Sequence, residues 1–175
     1  RSRDQRGSGM RHWGSASLAC ALLFGAAGAQ AGTQTGGVAV TINRPVTMTK
    51  LRDLDFGALI AGAAAGVVTV DPNTSARTVT GGTIVVGDAG QTAQFRIVAS
   101  PNTVVQITRN ALPVLTRAGG GATMNVVLLT INGTTTAVPS GSGTFDIAIG
   151  GRLSVGANQL PGDYSGTFEI NANYQ

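Results

Sequence analysis

The sequence predicts an all-β domain, built as an antiparallel sandwich. Three observations carry this. Residues 32–175 are rich in Gly, Thr, Val, Ala and Asn and poor in Lys, Glu and Leu, so helix formers are scarce while β-branched and turn-forming residues abound. No stretch of a dozen residues shows a 3.6-residue apolar period. Short alternating or apolar runs recur instead, divided by Gly, Pro, Asn and Asp about every ten residues.

The first 31 residues are set apart from this pattern. Met10 is followed by basic Arg11 and His12, then by the apolar run Leu18–Phe24, then by small residues ending Ala29-Gln30-Ala31. That is the order of a secretory signal peptide, over residues 10–31, with Ala29 and Ala31 as the cleavage-site pair. The apolar run is far shorter than the roughly 20 residues that cross a bilayer. Arg1–Gly9 are polar and precede a plausible initiator, so they are expected to be a non-native or untranslated leader, leaving 32–175 as the domain. Cys20, the only cysteine, falls inside the apolar run, with Ser17 where a lipoprotein signal needs an aliphatic residue; lipidation is disfavoured and residues 32–175 can form no disulfide. A domain of this size buries a core without such staples.

Strands are expected at 38–48, 54–60, 67–70, 83–86, 93–99, 104–108, 124–131, 144–149, 152–155 and 164–174. Asn132-Gly133 and Gly150-Gly151 are read as two-residue hairpin turns. An outer-membrane barrel is the rival all-β architecture. It would need two aromatic girdles, for which Phe56, Phe95, Phe145, Phe168, Tyr164 and Tyr174 are too few.

Composition excludes most chemistry. The whole chain carries a net charge of +4, but four of its basic residues lie in the leader; residues 32–175 hold eight basic and seven acidic residues, a net of +1. The basic residues, Arg44, Lys50, Arg52, Arg77, Arg96, Arg109, Arg117 and Arg152, are scattered singly as solvated strand positions, with no cluster of the kind nucleic acid requires. Residues 32–175 contain no His and no Cys, which removes the usual general base, the thiol nucleophile and most zinc sites. Asp53 and Asp55 would share a strand face, but no third acidic ligand is near, so a wet face is preferred to a metal site. Gly119-Gly120-Gly121 lacks the Lys-Ser/Thr of a phosphate loop. No catalytic, metal or cofactor residue is assigned, and no enzyme activity is expected.

Two segments are more informative. In Pro161–Gln175 the even positions Tyr164, Phe168, Ile170, Ala172 and Tyr174 face one way and the polar odd positions the other, as in one half-buried strand. Gly162 fourteenth from the end, a penultimate Tyr174 and alternating apolar residues between them resemble the terminal strand of chaperone-usher pilins. The resemblance implies an immunoglobulin-like or pilin-like sandwich, with Gly162 permitting a tight backbone approach and Tyr174 anchoring the strand. Near the other end, Val38, Val40, Ile42, Val46, Met48, Leu54 and Phe56 share one parity, with Pro45 marking a break or edge. In pilins such an N-terminal ribbon is donated to a neighbouring subunit, a form of strand addition to an open sheet edge. Burying Val38, Val40 and Ile42 yields about 4.5–9 kcal/mol, against an ordering cost of about 1–2 kcal/mol per residue. Ladder hydrogen bonds in a ready-made groove would have to tip the balance. Because only Gly32–Gly37 precede it, Val38–Ile42 is either a donated strand or the domain's own first strand.

A second resemblance covers nearly all of residues 32–175. The phrases Asp53-Leu54-Asp55-Phe56-Gly57, Val70-Asp71-Pro72, Thr123-Met124, Gly151-Arg152-Leu153-Ser154-Val155 and Gly162-Asp163-Tyr164-Ser165-Gly166-Thr167-Phe168 are similar, in that order, to the bacterial family called domain of unknown function 4402. It implies an exported, pilin-like or spore-coat-like sandwich without established catalytic activity. The function expected is therefore a structural subunit of a surface fibre that associates by edge-strand addition. Its partners would be other copies or related subunits, a periplasmic chaperone and an outer-membrane usher, with no nucleic acid and no membrane span. Its route would lead through the periplasm to the cell surface or exterior. Two alternatives are a self-complete secreted sandwich that binds glycan or a surface protein through its loops, and a carboxylate-only hydrolase. The latter needs two carboxyls about 5 or about 6.5–9.5 Å apart across a cleft.

Overall fold

The structure, a computed structural model, describes residues 37–87 and 90–175. The expected signal peptide, with Ala29 and Ala31, lies outside the described residues. Thirteen strands follow in order: β1 (Thr47–Arg52), β2 (Ala58–Ile60), β3 (Gly66–Val70), β4 (Arg77–Gly81), β5 (Ile84–Val86), β6 (Ala93–Val98), β7 (Val105–Arg109), β8 (Val114–Arg117), β9 (Thr123–Ile131), β10 (Thr136–Ala137), β11 (Thr144–Val155), β12 (Tyr164–Ser165) and β13 (Ile170–Tyr174). Every pairing is antiparallel. The fold is an all-β, sandwich-like arrangement with no helix among the described residues, hence none long and apolar enough to cross a membrane.

Strand β11 sets the register of the large sheet. Its Ile149 pairs with Ala93 of β6 and with Ile131 of β9, so those strands lie on opposite edges of β11. Gly151–Ser154 pair with both β9 and β3, which places β3 on the β6 edge, end to end with it. The resulting eight-stranded sheet runs β1-β6-β11-β9-β8-β12, with β3 and then β4 branching from the second half of β11. A three-stranded sheet, β10-β7-β13, and a two-stranded ribbon, β2-β5, complete the structure.

The hand-over from β6 to β3 falls at Gly150. A Cβ there would lie 2.2 Å from the Val70 carbonyl oxygen and 2.7 Å from the Pro72 nitrogen. Only glycine lets the end of β3 and the Asp71-Pro72 turn abut the central strand. The expected hairpin at Gly150-Gly151 is thus corrected: 144–149 and 152–155 are one continuous strand, and the glycine pair answers a close backbone approach instead of a reversal. The hairpin at Asn132-Gly133 is corrected too. Asn132 closes on Ala148 of β11 through both its amide N–H (2.9 Å) and its side-chain oxygen (2.6 Å), and the chain then crosses to β10, which pairs with β7.

The core follows from alternation. Ile147, Ile149, Leu153 and Val155 of β11, Val68 and Val70 of β3, Ala93 and Ile97 of β6 and Ile107 of β7 are all buried in one cluster. Strand β9 breaks the period to join it. Leu128 pairs with Arg152 and Val126 with Leu153, so Val127 bulges out and both Val126 and Leu129, three apart, reach the core.

Two local devices are electrostatic. Arg96 and Asp146 stand directly opposite on β6 and β11 and form a bidentate pair at 2.8 and 2.7 Å, which holds the Asp146 carboxyl below its ordinary range. Asp71 is lowered by backbone N–H groups of Asn73 and Thr74, which it accepts across its turn at 2.7 and 3.0 Å.

Gly150→Ala is expected to lower stability by about 1–3 kcal/mol, read as a fall in the urea midpoint. Because the folded pKa of Asp146 is depressed, its contribution is present above the ordinary aspartate value of about 3.9 and is lost as pH falls through the lower folded value. The stability gap between the wild-type chain and Asp146→Asn should therefore be present at neutral pH and close below about pH 4; a gap that persists in acid refutes the pairing.

Candidate functional site: an apolar cleft and an unpaired N-terminal ribbon

Strand β1 begins at Thr47, and residues 37–46 form no strand. The expected strand at 38–48 is corrected accordingly. Val46 and Met48 do pack against the core, and Leu54 and Phe56 follow on the same parity. Val38, Val40 and Ile42 do not: they are 100%, 83% and 89% exposed. The parity read in the sequence is real from Val46 onward, while its first three members are exposed and in no strand.

The C-terminal segment keeps its alternation but not its continuity. Tyr164, Phe168, Ile170, Ala172 and Tyr174 are half-buried and the residues between them exposed. The single strand expected over 164–174 is corrected to two, because Tyr164-Ser165 pair with β8 in the large sheet and Ile170–Tyr174 pair with β7 in the small one. The chain changes sheets across Gly166–Glu169. Phe168, at the crossing, meets Phe95 edge to face with ring centroids 6.3 Å apart.

Above this crossing opens an apolar cleft of about 1170 Å³. Its floor is Leu115 of β8, Met124 and Val126 of β9, and Leu153 and Val155 of β11. One wall is Asp53–Ala61, carrying Leu54, Phe56 and Leu59; the other is Gln159–Phe168. Within this floor Val126, Leu153 and Val155 are themselves buried, and Leu115 and Met124 are half-buried.

Polar side chains hold both walls. Asp55 and Gln91 exchange backbone hydrogen bonds at 2.8 Å, the Gln91 side-chain amide donates to the Asp53 carbonyl, and Arg77 donates to the Phe56 carbonyl at 2.8 Å. Opposite, Arg117 Nε donates to the Pro161 carbonyl at 2.7 Å and the Ala118 N–H to that of Asp163. Tyr164 donates to the Leu160 carbonyl and accepts from Gln159. Gly162, at φ +143°, lies against Arg117, where a Cβ would come 2.8 Å from Nε. The Asn158 N–H donates to the Gly62 carbonyl and ties the two walls at one end. Arg77 and Arg117 are accordingly half-buried clamps, which corrects their reading as solvated strand positions. Asp53 and Asp55 do not act together: Asp53 pairs with Lys50 at 2.8 Å and Asp55 accepts the Gly57 N–H. Among the described residues no three His, Cys, Asp or Glu gather as a metal site.

Residues 46–174 match the family described as Domain of unknown function (DUF4402). The chain belongs to this family. No curated protein and no solved structure matches it. The DUF4402 match opens at Val46, the first residue of the alternating series that packs on the core, so Val38, Val40 and Ile42 precede it. All but one of the phrases that carry the DUF4402 resemblance contribute to the cleft: Asp53–Gly57 and Gly162–Phe168 to its walls, Met124, Leu153 and Val155 to its floor.

Ile60 and Leu160 stand on opposite lips and are about half exposed. Replacing both by Ser should cut the fluorescence of a cleft-bound apolar dye severalfold while leaving the urea midpoint nearly unchanged, as surface substitutions do. Unchanged dye binding would show that the lips bound no accessible apolar space.

Proposed function

We propose that the protein is an exported structural subunit of a surface fibre or pilus-like assembly, in which copies join by strand addition. The N-terminal ribbon Val38–Ile42 of one copy enters the apolar cleft of the next. The observation that carries this reading is the ribbon itself, with three aliphatic side chains at alternate positions exposed and in no strand among the described residues. Isolated exposed apolar residues are ordinary; a strand-periodic set of them is a docking element awaiting a sheet.

The cleft has the complementary properties. Its floor is aliphatic, and the strands beside it are laddered on one side: β2 pairs with β5 alone and β12 with β8 alone among the described residues. An extended peptide laid there gains main-chain hydrogen bonds as well as burial, the two terms that together exceed the ordering cost. Residues 32–43 contain no charged side chain, so no ion is desolvated on insertion. Export through the periplasm to the cell surface accords with the leader and with the absence of cysteine from residues 32–175.

Deleting residues 32–43 from the processed chain should convert oligomers to monomers in sedimentation while leaving the unfolding midpoint of the domain in place. Oligomers that survive the deletion would overturn the reading. A processed chain that is monomeric with or without the ribbon would instead support a self-complete sandwich that binds glycan or a surface protein through its loops.

A further inference from the structure

The Tyr174 hydroxyl joins three segments far apart in the chain. It donates to the Arg44 carbonyl at 2.6 Å and accepts the Ser100 N–H at 2.6 Å. The knot is closed by the Arg44 N–H, which donates to Ser100 Oγ at 2.8 Å, while the Arg44 guanidinium reaches the Ser142 carbonyl at 3.3 Å. Both backbone polar groups of Arg44 are therefore held, and Pro45 after it restricts Arg44 to extended conformations. Ser100 is buried at the turn after β6, and Tyr174 is itself fixed by pairing with Val105 of β7.

Arg44 is two residues beyond Ile42, the last apolar side chain of the ribbon. We propose that Tyr174 is a positioning residue for assembly: by locking Arg44 to Ser100 it restrains the chain two residues after Ile42, so that less order has to be gained when Val38–Ile42 docks on a second copy. This rests on the reading of the ribbon as a docking strand. A ribbon with a loose root samples many directions, and its apparent affinity falls by the fraction of time it points correctly. Both hydrogen bonds that Tyr174 contributes to the knot are made by its hydroxyl oxygen.

The experiment uses the processed chain with Tyr174→Phe, which keeps the ring, and Ser100→Ala, which removes the acceptor of the Arg44 N–H. Ile97→Val, a core change remote from the knot in chemistry, serves as a control for general loss of stability. Amide exchange at Arg44 and Ser100 should quicken in Tyr174→Phe, and its apparent association constant should drop about two- to tenfold, the range a lost neutral hydrogen bond spans. Ser100→Ala should fall in the same direction, and Ile97→Val should assemble as the wild-type chain does at equal folded fraction. The inference is overturned if Tyr174→Phe assembles normally, or if Ile97→Val is impaired equally, since the role would then be stability alone. These outcomes separate from failure of the docking reading, which shows as normal assembly of the chain lacking residues 32–43; loss of assembly on that deletion with normal assembly of Tyr174→Phe rejects only the positioning role.

Discussion

The packing of one central strand constrains everything else. Strand β11 is laddered on both edges at Ile149 and along Gly151–Ser154, and residues 147–151 are buried without exception. A strand so placed can accept two successive neighbours on one edge only if they meet end to end, and the meeting point must have no side chain. Gly150 supplies this. Shifting either neighbour by one residue would invert its faces, sending Val68 and Val70 or Ala93 and Ile97 out of the core. The register of β3 and β6, and through β6 that of β1, is therefore tied to one glycine.

The same arrangement leaves the sandwich uneven. Nine residues of β9 and twelve of β11 make a long sheet, whereas the opposing β10-β7-β13 sheet has strands of two and five residues. Ile107, Ile170 and Ala172 cover part of the large sheet, and Phe168 ends that cover where the chain crosses between sheets. Beyond it, Leu115, Met124, Val126, Leu153 and Val155 face the cleft. Arg77 and Arg117 hold the two walls of this cleft through backbone carbonyls, at Phe56 and at Pro161.

How much of this could be read in the sequence depends on the length of the physical signal. Alternation identified the buried parity of Tyr164–Tyr174 correctly, because each residue reports its own burial. It did not reveal the change of sheet at Gly166–Glu169, because a crossing that preserves parity leaves no trace in a period-two pattern. Gly150-Gly151 was misread because glycine pairs serve turns and close approaches alike, and only a partner backbone distinguishes them. Strands β4 and β8 escaped notice since Arg77–Gly81 is polar and Val114–Arg117 is short; both are recruited by neighbours, β3 and β9, instead of by their own periodicity. The cleft was legible only as scattered phrases at 53–57, 123–124, 151–155 and 162–168, which the fold brings together. The knot at Tyr174 had no sequence signal beyond the tyrosine itself, since its partners are 130 and 74 residues away.

The ribbon at 38–42 was open to two interpretations, a strand for a neighbour or the domain's own first strand. The fold gives the second role to Thr47–Arg52, which pairs with β6 and sends Met48 inward. Among the described residues Val38–Ile42 join no strand, and the family match begins only at Val46. Leaving three aliphatic side chains in water forfeits about 4.5–9 kcal/mol of burial, a large fraction of the 5–15 kcal/mol that typically holds a domain together. The domain reaches its core without that contribution. The Arg44–Pro45 junction marks a physical boundary: up to Ile42 the apolar side chains are exposed, and from Val46 the same parity packs on the core.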